Sequence, residues 1–189
     1  RVSPAAACEV YKRQTSTCTG ECDVGLSSPP GAVECLADCP LGYYDDGTAM
    51  CKLCDAGYYG ATTGLSVSTC TGECAAGNYG SADSIRTTRT CSGECATGYY
   101  GATTGLTTST CSGMCAAGYY AEAGADTCSP CAAGYFGSST GNTDSTCDGE
   151  CDAGYYGATT GLIASTCTGE CDVGLSSPPG AVACLADCP

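Results

Sequence analysis

Cysteine is the residue through which this chain could do chemistry, and its spacing narrows what that chemistry is. Twenty of its 21 cysteines fall into ten doublets, at 18/22, 35/39, 51/54, 70/74, 91/95, 111/115, 128/131, 147/151, 167/171 and 184/188, and Cys8 stands outside them. Four thiolates from two doublets could hold a zinc ion, because Cys-x-x-Cys pairs a dozen or more residues apart suit a tetrahedral site. Against zinc stand the absence of His, the wider Cys-x-x-x-Cys spacing in eight of the ten doublets, and a Tyr-, Gly- and Thr-rich composition. A redox couple at Cys51-Lys52-Leu53-Cys54 is weaker still, since no βαβ pattern or helix start surrounds it to lower a thiol pKa. Disulfides are the better reading: 21 cysteines in 189 residues exceed the roughly 8–10% that marks a disulfide scaffold and an oxidising compartment.

The remaining residues argue against catalysis and against several partners. His and Trp are absent, which removes the commonest general base and leaves the many Ser and Thr hydroxyls without an ordinary activating partner. Scattered carboxylates solvate a surface more often than they catalyse, and Asp45-Asp46-Gly47 reads as a turn before it reads as a calcium ligand set. The chain is expected not to be an enzyme and to need no cofactor. A net charge of -14 repels phosphate backbones and anionic membranes, so nucleic acid is not an expected partner. No run of 18 apolar residues and no charged-then-apolar leader occurs in the sequence, so direct membrane insertion of this segment is not expected. Leu, Val, Ile and Phe are scarce; the 43% hydrophobic content comes mostly from Cys, Ala and Tyr, which bury less apolar area per residue. Something other than a large hydrophobic core must hold such a chain together.

The elements that must position the cysteines recur with them. The third residue after the second Cys of a doublet is Gly wherever the chain continues: Gly25, Gly42, Gly57, Gly77, Gly98, Gly118, Gly134, Gly154 and Gly174. A glycine at fixed offset points to positive φ or to close approach to a neighbouring disulfide. Two aromatics commonly follow, then a turn, then Thr and Ser, then the next Cys. The pattern predicts a β-hairpin: Tyr58-Tyr59 as the first strand, Thr62-Thr63-Gly64 as the loop, Ser66 to Thr69 as the return. Asp45-Asp46-Gly47 and Pro30-Gly31 fit the same turn role. Alternation along a strand would pack one Tyr of each pair on a disulfide and turn the other outward. Two-stranded hairpins are marginal in water, and a disulfide at the open end would remedy that. It would join Cys8–Cys18, Cys22–Cys35, Cys39–Cys51, Cys54–Cys70, Cys74–Cys91, Cys95–Cys111, Cys115–Cys128, Cys131–Cys147, Cys151–Cys167 and Cys171–Cys184, leaving Cys188 unpaired in this window. Bonds within each doublet, and bonds interleaved across two doublets, are the rival schemes. The expected fold class is small and disulfide-rich, mostly β, an elongated tandem array of disulfide-closed hairpins with little helix.

A longer period lies above the doublets. Ser16–Pro40 and Ser165–Pro189 match at 24 of 25 positions, Ala183 replacing Glu34, at an offset of 149 residues. The chain is therefore read as an N-terminal cap over 1–17, one super-repeat of eight doublet units over 18–166, and the start of the next copy over 167–189. The copy of Cys39, Cys188, would find its partner beyond Pro189, so the native polypeptide is expected to continue. Thr-rich returns could form an ice-binding face, but units of unequal length would break its lattice. Glycosylation is the better use of the hydroxyls. Ser27-Ser28-Pro29-Pro30 and Ser176-Ser177-Pro178-Pro179 are candidate O-glycosylation or hydroxyproline sites, although a rigid turn explains them as well.

Doublets followed by x-x-Gly-Tyr-Tyr, as in Cys54 to Tyr59 and Cys95 to Tyr100, resemble the tandem cysteine-rich repeats of growth-factor receptors, ephrin receptors and tumour necrosis factor receptors, over Cys18 to Pro189. The phrasing "GYYGATTGL" and "STCTGEC" is more similar to long repeat proteins of algal and protist surfaces, of which flagellar hairs, or mastigonemes, are one assembly. The resemblance implies a secreted or cell-surface repeat protein and carries over no ligand-binding residue. Repetition at 149 residues favours a structural protein that self-associates into filaments, with Tyr58, Tyr59, Tyr99, Tyr100, Tyr155 and Tyr156 as candidate lateral contacts and O-linked glycans as candidate additions. An ectodomain stalk of a receptor or adhesin is the alternative.

Overall fold

The computed structural model describes Ser28, Pro29, Ala32, Leu36, residues 38–48 and residues 50–186. Cys8, Cys18, Cys22, Cys35 and Cys188, with Ser27, Pro30 and the 1–17 segment, lie outside the described residues. Among those described there is no helix, and sixteen short strands form eight two-stranded sheets. The chain divides into two compact units, one running to Gly93 and including Thr104–Thr107, the other comprising Glu94–Thr103 and Thr108 onward.

Hairpin strands pair antiparallel in both units. Tyr43–Asp45 pairs with Cys51–Leu53, and Tyr58–Tyr59 with Gly72–Glu73. In the second unit Tyr99–Tyr100 pairs with Gly113–Met114, Tyr119–Tyr120 with Ser129–Pro130, Tyr135–Phe136 with Gly149–Glu150, Tyr155–Tyr156 with Gly169–Glu170 and Leu175–Ser176 with Leu185–Ala186. These registers correct the expected return strand. Ser66 to Thr69 is not a strand; the pairing residues Gly72–Glu73 lie inside the doublet. The physical reason is a turn closed by the Cys70 amide donating to Val67 O at 2.9 Å, with Cys70 itself at φ 51°.

That left-handed cysteine belongs to one doublet type. Cys70, Cys91, Cys111, Cys147 and Cys167 all have φ between 47° and 53°, and each opens a Cys-x-Gly-x-Cys doublet. Cys51 and Cys128, which open the shorter Cys-x-x-Cys doublets, do not. Counted back from the second Cys, both types pair alike: Leu53 and Glu73 each face the first Tyr of their hairpin, Tyr43 and Tyr58. The kink absorbs the additional residue, so both types bring their Cα atoms to bonding distance, 5.5 Å for Cys39–Cys51 and 5.8 Å for Cys54–Cys70. A non-glycine residue in this region costs about 1–2 kcal/mol, which the cross-link offsets at roughly 3 kcal/mol per loop.

The core is made of sulfur. Cys39, Cys51, Cys54, Cys74, Cys95, Cys115, Cys131 and Cys151 are at most 2% exposed, and Ala121 is the one other buried apolar residue among those described. Met50, Val67, Ile85 and Ile163 stay exposed.

Candidate functional site

Among the described residues eight disulfides run in tandem: Cys39–Cys51, Cys54–Cys70, Cys74–Cys91, Cys95–Cys111, Cys115–Cys128, Cys131–Cys147, Cys151–Cys167 and Cys171–Cys184. Each joins the second Cys of one doublet to the first of the next, closing one hairpin across 12 to 17 residues. Their sulfurs are bonded to one another, so these thiols are not available to zinc or to a Cys51/Cys54 redox couple.

Successive hairpins within each unit are joined by three recurring backbone hydrogen bonds. In the first, the glycine after a doublet donates to the residue closing the Tyr-Tyr strand of the next hairpin: Gly42 to Gly60 O at 2.9 Å, Gly57 to Gly80 O at 2.8 Å, Gly134 to Gly157 O at 2.9 Å. In the second, that closing residue donates past the loop of the following hairpin, as Gly80 to Leu106 O at 2.8 Å and Gly137 to Leu162 O at 2.8 Å. In the third, the loop glycine donates backward to the carbonyl of a buried second cysteine: Gly64 to Cys39, Gly105 to Cys74, Gly124 to Cys95, Gly141 to Cys115, Gly161 to Cys131 and Gly180 to Cys151, at 2.8–3.0 Å. The carbonyls of these six buried cysteines are thereby satisfied without side chains.

Several glycines that follow a doublet have two reasons to be glycine, whereas Gly154 and Gly174 have a positive φ but nothing within 4 Å of an added Cβ. Gly57 has φ +81°, and a Cβ there would lie 2.2 Å from Gly105 O, two hairpins along the chain. Gly98 and Gly141, and Gly134 and Gly180, repeat the contact at 2.4 and 2.3 Å. The expected approach to a disulfide belongs to a different glycine, the one ending the Tyr-Tyr strand: a Cβ on Gly80 would sit 2.7 Å from Cys74 Sγ, and one on Gly157 2.7 Å from Cys151 Sγ.

One hairpin lacks the loop glycine and solves the problem with a cation. Between Gly80 and Cys91 the loop reads Ser-Ala-Asp-Ser-Ile-Arg, one residue longer than Ala-Thr-Thr-Gly-Leu after Gly60. Arg86, 1% exposed, donates through Nη2 to the carbonyl of Cys54, the same donor role that loop glycine amides fill elsewhere. Its Nη2 also reaches Asp55 O at 3.1 Å, Nε donates to Tyr58 O at 2.7 Å, and Nη1 donates to Ser84 O at 2.7 Å and to Ser81 O. Burial lowers the guanidinium pKa, with Asp83 and Asp55 acting in the opposite direction. Sequence reasoning missed this residue. The signals were present: the lengthened loop, the missing glycine, and Arg where neighbouring loops carry Leu.

The hydroxyl residues sort by what they touch. The residue after the first Cys of four Cys-x-Gly-x-Cys doublets accepts a hydrogen bond from the first loop amide: Ala61 N to Thr71 Oγ1 at 2.8 Å, Ser81 N to Ser92 Oγ at 2.9 Å, Ala102 N to Ser112 Oγ at 3.0 Å and Ala158 N to Thr168 Oγ1 at 3.0 Å. Asp148 instead accepts from the second loop amide, Ser139 N, and from the Ser138 hydroxyl, both at 2.8 Å. Thr71→Val keeps the shape and removes the acceptor, and should cost about 1 kcal/mol, read as faster hydrogen exchange at Ala61. At Asp148, bonds from Ser138 and Ser139 hold the carboxyl below its usual pKa. A depressed folded-state pKa stabilises above the unfolded value and loses that contribution as pH falls through the folded one. The Ser139 amide should therefore lose protection in acid while that of Ala61 keeps its own.

The six candidate tyrosines are all half-buried, which corrects the expected alternation of one inward and one outward ring. Tyr58 faces Glu73 across the hairpin and its hydroxyl donates to Glu73 Oε1 at 3.4 Å. Tyr59 and Tyr156 lie over the cross-strand glycines Gly72 and Gly169, where a methyl would meet each ring at 3.9 Å; the rings cover strand that has no side chain. Tyr99 faces Met114, Tyr100 faces Gly113 and Tyr155 faces Glu170.

In the Ser-Pro-Pro segment, Ser177 is 6% exposed and its hydroxyl donates to Tyr155 O at 2.7 Å. That hydroxyl is closed to modification, whereas Ser176, Pro178 and Pro179 are exposed. Ser28 and Pro29 are half-buried. Asp45 and Asp46 form turn caps. Asp45 accepts from Gly47 N at 2.8 Å, and Asp46 from Thr48 N at 3.0 Å and from Lys52. The Lys52 and Thr48 hydrogen bonds lower the Asp46 pKa to about 2. No group of three or more metal-ligating side chains is found among the described residues, and they contain no helix long and apolar enough to cross a membrane. No protein-family model matches the chain, and neither does any curated protein.

Proposed function

We propose that this chain is an extracellular structural protein, a disulfide-stapled array that self-associates into a fibre or filament of the flagellar-hair type. The carrying observation is that every described hairpin is closed by a disulfide, the same backbone bonds recurring between successive hairpins. Such a chain resists local unfolding through covalent links. Oxidised cysteines on this scale fit an extracellular or secreted protein. The near-identical segments 149 residues apart support polymerisation, because a filament needs equivalent contacts at fixed intervals. The resemblance to cysteine-rich repeats of algal and protist surfaces supports the flagellar-hair type. Half-buried tyrosines such as Tyr58, Tyr99 and Tyr155 supply lateral contact area at low ordering cost, and the acidic surface keeps fibres apart.

Cryo-electron microscopy of native, unreduced material tests this. Filaments with an axial period matching one 149-residue block are expected. Separate molecules tethered to a binding head or membrane anchor would contradict it and establish the receptor or adhesin stalk instead.

A further inference from the structure

Hydroxyls at the loop tips do none of the structural work described above. Ala-Thr-Thr-Gly occurs at 61–64, 102–105 and 158–161, each time between the residue whose amide is anchored and the glycine that donates backward. The tip backbone is thus fixed by other residues: Ala61 N by Thr71, Gly64 N by Cys39 O, Ala158 N by Thr168 and Gly161 N by Cys131 O. Thr62, Thr63, Thr103, Thr159 and Thr160 are exposed, and their hydroxyls have no hydrogen-bond partner among the described residues. Thr104 differs, donating to Glu73. Turns ordinarily recruit Asn, Asp or Ser for hydrogen bonds to their own backbone, as Asp45 and Asp46 do here. Paired β-branched residues without such bonds have no explanation in the fold.

We propose that Thr62, Thr63, Thr103, Thr159 and Thr160 are acceptors for O-linked sugars. The proposal rests on the extracellular reading, since the donor is a nucleotide sugar used by a transferase of the secretory route. In the transfer, the bond from the sugar C1 to the nucleoside diphosphate breaks and that diphosphate leaves. C1 bonds to Thr Oγ1, and the hydroxyl proton passes to a base of the transferase. A sugar at these tips projects into solvent and displaces none of the bonds between hairpins. Neutral hydrated bulk adds to the separation that the net charge of -14 provides.

The test is mass spectrometry of native, unreduced protein, with fragmentation that keeps side-chain additions in place. Saccharide mass shifts are expected on the five tip threonines and on none of Thr71, Ser112 and Thr168. Bare tips in a protein whose disulfides are intact, or phosphate at the tips, would overturn the proposal and leave the extracellular reading standing. Cysteines recovered as free thiols would overturn that reading, and the proposal with it. In the same host, T62A/T63A should lose the mass of its tip sugars while retaining its unfolding transition; an unchanged glycan mass would also contradict the assignment.

Discussion

Gly57→Ala is expected to destabilise its unit by roughly 2–5 kcal/mol, because its added methyl meets the closest approach found at any described glycine. About 1–2 kcal/mol comes from placing alanine in the left-handed region. The rest comes from overpacking, worth typically 1–3 kcal/mol, because the new Cβ would lie 2.2 Å from the carbonyl oxygen of Gly105. Backbone cannot rotate away as a side chain can, so the loop at Gly105 must shift and its bond to Cys74 O must lengthen. Gly47 provides the control: its φ is +83° and nothing lies within 4 Å of an added Cβ. Gly47→Ala should cost only the conformational share. Hydrogen exchange at the amides of Gly80 and Gly105 in the disulfide-intact protein separates the two. Equal exchange in both variants would show that the approach between alternate hairpins does not constrain the chain.

Arg86→Leu is expected to be as damaging, at roughly 3–5 kcal/mol, because each buried carbonyl left without a donor costs about 1–3 kcal/mol. Leucine is what neighbouring loops carry at the corresponding place, Leu65 and Leu106, so loss of apolar packing does not explain the effect. The cost lies in the carbonyls of Cys54, Tyr58 and Ser84, which lose the donor that Arg86 supplies, while Asp55 O keeps the Tyr58 amide at 3.0 Å and Ser81 O the Ser84 hydroxyl at 3.3 Å. Rescue distinguishes this account from a general intolerance of the site. Replacing Ser81–Arg86 by Ala-Thr-Thr-Gly-Leu supplies a loop glycine amide for Cys54 O and should restore most of the lost stability in denaturant unfolding. A graft no more stable than Arg86→Leu would contradict the equivalence of guanidinium and glycine amide.

The fold class was legible in the sequence because cysteine spacing and scarce large aliphatics leave little else to hold the chain. Turn glycines were legible for the same local reason: Gly47 and Gly64, at φ +83° and +70°, follow residues that cannot make those turns alone. The return strand was not, because nothing in Ser66 to Thr69 signals that Cys70 adopts a left-handed backbone. Bonds between hairpins were illegible for a more general reason. They run from backbone amide to backbone carbonyl, Gly57 to Gly80 and Gly105 to Cys74, so the sequence records them only as glycine, which has many other uses. Arg86 lay between these cases, a compensation visible only once the acceptor it serves is known. The tyrosines misled because alternation assumes one covered and one open face, whereas short hairpins packed on their neighbours cover both partly.

The central claim is that the covalent links close single hairpins and run in tandem along the chain. Peptic digestion of native protein in acid, where thiol exchange is suppressed, followed by mass spectrometry without reduction, tests it most directly. The account predicts peptides joined Cys54–Cys70, Cys74–Cys91, Cys95–Cys111, Cys131–Cys147 and Cys151–Cys167. Links within a doublet such as Cys70 to Cys74, interleaved links such as Cys54 to Cys74, or zinc released on acidification with free thiols left behind, would contradict it.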